Sequence, residues 1–217
     1  MYEIVTIGNK NEIERGNKAN INIYNWSDKN DKQDYRPNAF GILCLLKNEG
    51  LFLHMECEET NPLATYTEQN EWVCQDSCLE FFTIPTPAKS QTNKNLQTSY
   101  LNFECNANGS LLCAFGDKIY PRKTITELGL DHPKAIPFKT QNSWGYELLI
   151  EFDLLSKLYN QEISYQKGDI ITGNFFKCGD KTQNPHFGSY TKIDSATPNF
   201  HQIQFFEKFI FVHFTQN

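Results

Sequence analysis

The chain has no apolar run long enough for a membrane helix, no tract of Lys and Arg, and two methionines in 217 residues. A spanning helix needs about 18 or more apolar residues in succession, and none is found. Binding to nucleic acid phosphates needs clustered cations, and the formal charge is -6. Nucleic acid and membrane are therefore not expected partners. The opening residues, Met1 to Ile7, are too short and too acidic for a secretory h-region. A soluble, cytoplasmic protein is the expectation, with secretion left open if a signal has been trimmed away. No nucleophile elbow, phosphate-cradling glycine loop or His/Asp/Glu triad with metal spacing is recognisable. The seven cysteines (44, 57, 74, 78, 105, 113, 178) are odd in number and mostly lie in strand-like runs. They read as reduced core thiols. Cys74 and Cys78 are the one close pair, and no His or Cys at zinc spacing completes them.

What is abundant is aromatic: 17 Phe, 10 Tyr and 3 Trp, 14% of residues. The dominant hydrophobic period is two. Leu51, Leu53, Met55 and Cys57 alternate with Phe52, His54 and Glu56. Leu79 and Phe81 alternate with Glu80 and Phe82. Leu101, Phe103 and Cys105 alternate with Tyr100, Asn102 and Glu104. Tyr146, Leu148 and Ile150 alternate with Glu147, Leu149 and Glu151. Phe205 to Phe214 is apolar on both faces, as in a central strand. Ile170 to Phe176 is apolar at both parities, so neither face can be assigned to Asn174. Asn106 to Gly109 reads as a tight hairpin turn, because Asn and Gly tolerate positive φ. Asp153 to Tyr159 is the one plausible helix, with Asp153 as its N-cap. Lys10–Asn20, Pro85–Gln97 and Pro121–Gln141 read as loops. With no linker and no repeat, the expectation is one all-β domain over residues 1–217, an antiparallel β-sandwich of immunoglobulin or jelly-roll type with one or two short helices.

Sugars offer apolar C–H faces that stack on rings and hydroxyls that need paired donors and acceptors. With Leu79, Phe81, Leu101 and Phe103 inward, Glu80, Tyr100, Asn102 and Glu104 point outward and could form one polar surface. Trp72 lies on the segment leading into it. Trp144, which opens a core strand, reads as packing, and His201 as a structural histidine.

Several segments resemble a known family. Trp72 to Phe82, containing Asp76-Ser77-Cys78-Leu79-Glu80-Phe81-Phe82, is similar to the DS-x-E-x-F strand of carbohydrate-binding modules of family nine. It is closer still to stand-alone, DOMON-like bacterial proteins. Tyr100-Leu101-Asn102-Phe103-Glu104-Cys105-Asn106 with Gly109 resembles the YLNFE segment of that group. Asn174 to Asp180 resembles its NFYKCGD segment. His186-Phe187-Gly188-Ser189-Tyr190 resembles HFGSW, and Pro198 to Phe206 its terminal P-x-FH-x-x-x-FF. The resemblance spans nearly the whole chain. It implies a sandwich that binds saccharides without cleaving them, with two rings clamping a chain end. Carried over, Trp72 and Tyr190 are the candidate rings; Tyr190 stands where the group has tryptophan. Glu80, Asn102, Glu104, Asn174, Lys177 and His186 are the candidate polar contacts, Lys177 having the alternative of pairing with Asp180 across a turn. No cofactor is implied. Family nine modules can hold structural calcium, but no oxygen-ligand set can be placed here.

Three other readings remain open from the residues. Glu80 and Glu104 could serve as the paired carboxylates of a glycosidase. The DOMON group includes haem-binding cytochromes, for which Met55 is the one internal methionine, although its alternation reads as core packing. A sandwich whose sugar face has decayed could act as a scaffold. The sugar, its linkage and the oligomeric state are not legible.

Overall fold

A computed structural model describes residues 1–24, 26, 35–90 and 92–212. Its strands, in chain order, are β1 (Tyr2–Ile4), β2 (Thr6–Ile7), β3 (Ala19–Ile21), β4 (Ala39–Leu46), β5 (Gly50–Cys57), β6 (Cys78–Ile84), β7 (Tyr100–Asn106), β8 (Leu111–Gly116), β9 (Lys123–Thr124), β10 (Ile136–Lys139), β11 (Trp144–Glu151), β12 (Ile170–Cys178), β13 (Phe187–Ser189) and β14 (Glu207–Phe211). One α-helix, α1 (Phe152–Tyr159), and five short 3-10 turns complete the described elements. The larger sheet has the order β1-β14-β12-β6-β7-β8-β9, with β13 also on β12. The smaller has the order β10-β11-β5-β4-β2, with β3 also on β4.

The period of two is reproduced strand by strand. Leu79 and Phe81 of β6, Leu101 and Phe103 of β7, and Phe175 and Phe209 of β12 and β14 enter the interior. There they meet Leu43, Leu53, Met55, Tyr146 and Leu148 of the smaller sheet. The sheets approach closely at Gly41, where a β-carbon would lie 2.3 Å from the Phe175 ring. Met55 has no exposed surface, and the Tyr146 hydroxyl donates to its sulfur at 3.4 Å. It is a core residue and presents no ligand to a haem. All seven cysteines are free thiols, and six are buried.

The sandwich departs from the sequence expectation in five places. Lys10–Asn20, read as a loop, holds a 3-10 turn over Lys10–Arg15 and the start of β3. Both sheets are mixed, because β1 runs parallel to β14 and β2 parallel to β4. The N-terminal segment therefore crosses from one sheet to the other within a few residues. The 121–141 stretch contains β9 and β10, short strands at the sheet edges; Pro137 inside β10 had hidden the pattern, since proline is tolerated only at an edge. α1 starts at Phe152 with Glu151 in the cap position and no side-chain capping bond. Asp153 instead pairs with Lys157 at 2.6 Å. Finally, the last strand begins at Glu207, because Ile203–Phe205 forms a 3-10 turn. β14 is flanked on both sides, by β1 and β12, and the run's end at 213–214 lies outside the described residues.

The hairpin at Asn106 forms as its residues require. Gly109 has φ +83°, and the Asn106 side chain accepts from the backbone N–H groups of Asn108 and Ser110. The Asn106 amide also donates to the Asp76 carboxylate at 2.9 Å. Asp76 receives Thr65 and Tyr66 backbone N–H groups as well. Asp76 thereby ties the segment before β6 onto the larger sheet, and its whole acceptor capacity is used within the fold.

Candidate functional site

The outer face of the larger sheet is not open to solvent along its length. Phe82, Tyr100, Phe176 and Cys178 are covered by Val73 from the segment before β6 and by Ile193 and Phe200 from the connection between β13 and β14. That cover stops short over part of β6 and β7 and leaves a cavity of about 610 Å³. Its walls come from residues 70–74, the centres of β6 and β7, β8 at Leu112 and Ala114, the 119–124 segment, Cys178 and Asp180 at the end of β12, Phe187 of β13, and residues 197–201.

Glu80, Asn102 and Glu104 form the floor of this cavity and are buried. Glu80 and Glu104 stand directly opposite each other in the register of β6 and β7. Asn102 donates to Glu104 Oε1 at 2.9 Å, and Arg122 Nε donates to Asn102 Oδ1 at 2.9 Å. The Arg122 guanidinium also donates to Tyr100 O at 2.7 Å and lies 3.9 Å from the centre of the Tyr100 ring. This places one fixed cation beside two carboxyl groups. Burial pushes the Glu104 carboxyl up to about 7; the Asn102 hydrogen bond and the Arg122 charge oppose that rise, and Asp180 adds to it. Burial, and then the neighbouring Glu104 charge, push Glu80 well above the usual carboxylate range. The Tyr100 hydroxyl and His201 Nδ1 are 2.7 Å apart. Burial, with Arg122 nearby, lowers His201 to about 3, so its ring is neutral.

Trp72 also lines the cavity and is 55% exposed. The structure therefore brings together four of the eight candidate residues: Trp72, Glu80, Asn102 and Glu104. The other four lie elsewhere. Tyr190 is half-buried against the main core, with its ring edge-on to Tyr2 and Phe175. It is not the second ring beside Trp72. Asn174 is buried and bonds the segment after β13: its side chain accepts from Thr191 N and donates to Thr191 O.

Lys177 shares the parity of Phe175, so it enters the sandwich interior rather than the outer face. It has no exposed surface. Its ammonium donates to Ser77 Oγ and Cys178 O, each at 2.9 Å, and to His186 Nε2 at 2.6 Å, with Glu59 Oε2 at 3.8 Å. It does not pair with Asp180. His186 is buried in the same network, where its Nδ1 donates to Asn184 O at 2.8 Å. Burial and the Lys177 charge lower His186 to about 4, which fixes it as a neutral acceptor. Trp144 completes this interior group by donating to Glu59 at 2.9 Å.

The sequence reading missed Tyr120, Arg122, Asn199 and a cavity position for His201. Tyr120 is 66% exposed and Ile119 is exposed beside it. A pair of large apolar side chains in the polar segment Lys118-Ile119-Tyr120-Pro121 was the available signal.

A family description, carbohydrate-binding family 9, matches residues 9–211. The chain belongs to that family. Its fold agrees with this along the whole length. A protein of Bacteroides uniformis assigned to carbohydrate binding is 25% identical over 96% of this chain and 97% of its own, with a TM-score of 0.76. A family 9 carbohydrate-binding module of Caldicellulosiruptor kristjanssonii, solved with cellotriose, superposes with a TM-score of 0.62 at 12% identity, covering 100% of this chain and 95% of its own. The structure of a family 9 module of the same organism with glucose gives 0.61 at 13%, covering 99% and 98%. No curated protein matches significantly. Among the described residues no helix is long and apolar enough to cross a membrane. As a family 9 module, the chain is a carbohydrate-binding β-sandwich.

The side-chain cluster at the cavity does not suit the calcium that the family resemblance implies. Calcium takes six to eight oxygen ligands. Among the described residues, the cluster of His, Cys, Asp or Glu side chains close enough to share one ion is Cys78, Glu80 and Cys178. Two sulfurs and one carboxylate do not make a calcium site.

Proposed function

We propose that the cavity on the larger sheet grips the end of an oligo- or polysaccharide without cleaving it. The observation that carries this is the pairing of exposed rings, Trp72 and Tyr120, with the buried polar floor of Glu80, Asn102, Glu104 and Arg122 in one cavity. Rings meet the apolar faces of sugars. The carboxyl groups, the amide and the guanidinium offer donors and acceptors to hydroxyls. A volume of about 610 Å³ lies within the range of small-ligand sites, roughly 300–1,000 Å³. The similar family 9 modules hold cellotriose and glucose, so glucose-based oligosaccharides are the first candidates.

Calorimetric titration with cello-, xylo- and manno-oligosaccharides tests the site. Trp72→Ala and Tyr120→Ala are each expected to weaken binding about 10- to 50-fold, the effect of removing an anchoring ring. Tyr190→Phe, which keeps the ring on the core, is expected to leave affinity unchanged. Affinity unaltered in both Trp72→Ala and Tyr120→Ala would remove the rings from the site. Release of product from aryl glycosides, lost on Glu104→Gln, would replace the binding reading with a hydrolase.

A further inference from the structure

The cavity floor brings together Glu80 and two thiols that saccharide recognition leaves unused. Cys78 of β6 and Cys178 of β12 are directly opposite each other in the sheet register. Both leave the sheet on its outer face, as Glu80 does. Cys78 Sγ, Cys178 Sγ and a Glu80 carboxylate oxygen lie within 4.8 Å of one another. Cys178 Sγ donates to Glu80 Oε1 at 2.9 Å. Cys178, Glu80 and the free thiol Cys74 all line the cavity.

We infer that Cys78, Cys178 and Glu80 form a binding site for one thiophilic divalent ion of the zinc type, with its remaining coordination position turned toward the cavity. The chemistry of the donors selects the ion. Thiolate sulfur favours zinc-class metals, whereas calcium and magnesium require oxygen. The geometry is close to what such an ion demands. Zinc sits about 2.3 Å from sulfur and about 2.0–2.2 Å from carboxylate oxygen, so tetrahedral ligands stand roughly 3.3–3.8 Å from each other. The Cys178–Glu80 pair, at 2.9 Å, is somewhat closer than that spacing, and no two of the three ligand atoms are more than 4.8 Å apart, so an ion can be taken up with small shifts. On binding, each thiol, and the Glu80 carboxyl where it carries a proton, gives that proton to solvent, and the sulfur–carboxylate hydrogen bond is replaced by a shared cation. Two thiolates, one carboxylate and a divalent ion leave a net charge of -1. Lys177, whose ammonium donates to Cys178 O at 2.9 Å and acts on Glu80, is the neighbouring positive charge. The site stands on these residues alone and does not depend on a saccharide entering the cavity.

Cobalt titration of the full chain tests this, with thiols kept reduced by a non-chelating phosphine. The expected result is a thiolate-to-cobalt charge-transfer band that saturates at one ion per chain, is abolished by zinc and is unaffected by excess calcium. Cys78→Ser should lose the band. Glu80→Gln, close to isosteric, should keep the fold and weaken cobalt binding at least tenfold. Cys44→Ala, whose thiol packs in a separate cluster with Ile42 and Phe52, should behave as wild type. No charge-transfer band at one equivalent, displacement by calcium, or an unchanged titration in both Cys78→Ser and Glu80→Gln overturns the inference.

Discussion

Lys177→Ala is expected to lower the free energy of unfolding by about 3–5 kcal/mol, the usual cost of stranding the partner of a buried charge. In a chain of this length that corresponds to a fall in melting temperature of about 10 °C or more. Saccharide affinity of the folded protein should stay within twofold. Lys177 is one end of an interior network: its ammonium serves Ser77, Cys178 O and His186, and lies beside the Glu59 carboxylate. Burial opposes ionisation of Glu59, but the Lys177 charge and hydrogen bonds from Ser77, Trp144 and Tyr35 outweigh it and hold that carboxyl below its ordinary range. Removing the ammonium leaves a buried carboxylate without its counter-charge. The paired change Lys177→Met with Glu59→Gln removes both charges and should recover most of the loss, because a well-packed neutral pair is often as stable as a buried ion pair. Thermal and denaturant unfolding of the single and double variants would check this. A loss under about 1 kcal/mol in Lys177→Ala, or a drop in affinity with stability intact, would return Lys177 to the ligand surface.

Glu104→Gln is expected to flatten the pH dependence of stability. In the folded protein burial pushes the Glu104 carboxyl up to about 7, whereas an unfolded glutamate titrates near 4.5. Between these two values the folded state holds a proton that the unfolded state has released. Stability tied to this group is therefore complete below the unfolded value, falls as pH rises through the window, and is lost above about pH 7. The size is on the order of 3 kcal/mol, from about 1.4 kcal/mol for each unit of displacement. The buried histidines act in the other direction: His186 and His201 are lowered to about 4 and about 3, so their contribution fades as pH falls below the ordinary histidine range. That part is common to wild type and Glu104→Gln and cancels in the difference between them. Urea unfolding at intervals from pH 5 to pH 8 should give curves that diverge as pH rises, with the variant more stable at the alkaline end. Parallel curves would mean that the carboxyl is already ionised across that range.

The candidate site was half legible in the sequence, and the division is physical. Glu80, Asn102 and Glu104 could be placed on one face because side chains alternate along a strand, and that rule needs only the apolar residues on either side of them. Lys177 could not be placed, because Ile170 to Phe176 is apolar at both parities and a strand buried on both faces has no readable alternation. Tyr190 was carried over from the family segment as a clamp ring, yet its ring turns onto Tyr2 and Phe175. Tyr120 and Arg122 sit in a segment with no regular pattern, and their approach to β7 depends on where that segment runs after β8.

The sequence by itself determined the class of fold, the inward residues of the main strands, the hairpin at Asn106–Gly109 and the family. All of these rest on neighbours along the chain, on turn chemistry or on segments read in order. Only the tertiary structure decided which outward residues share a cavity, which rings stand beside them, and that Cys78 and Cys178 meet across β6 and β12. Those contacts join stretches distant in sequence, and nothing in the local alternation of apolar and polar residues records which segment will cover a given patch of sheet.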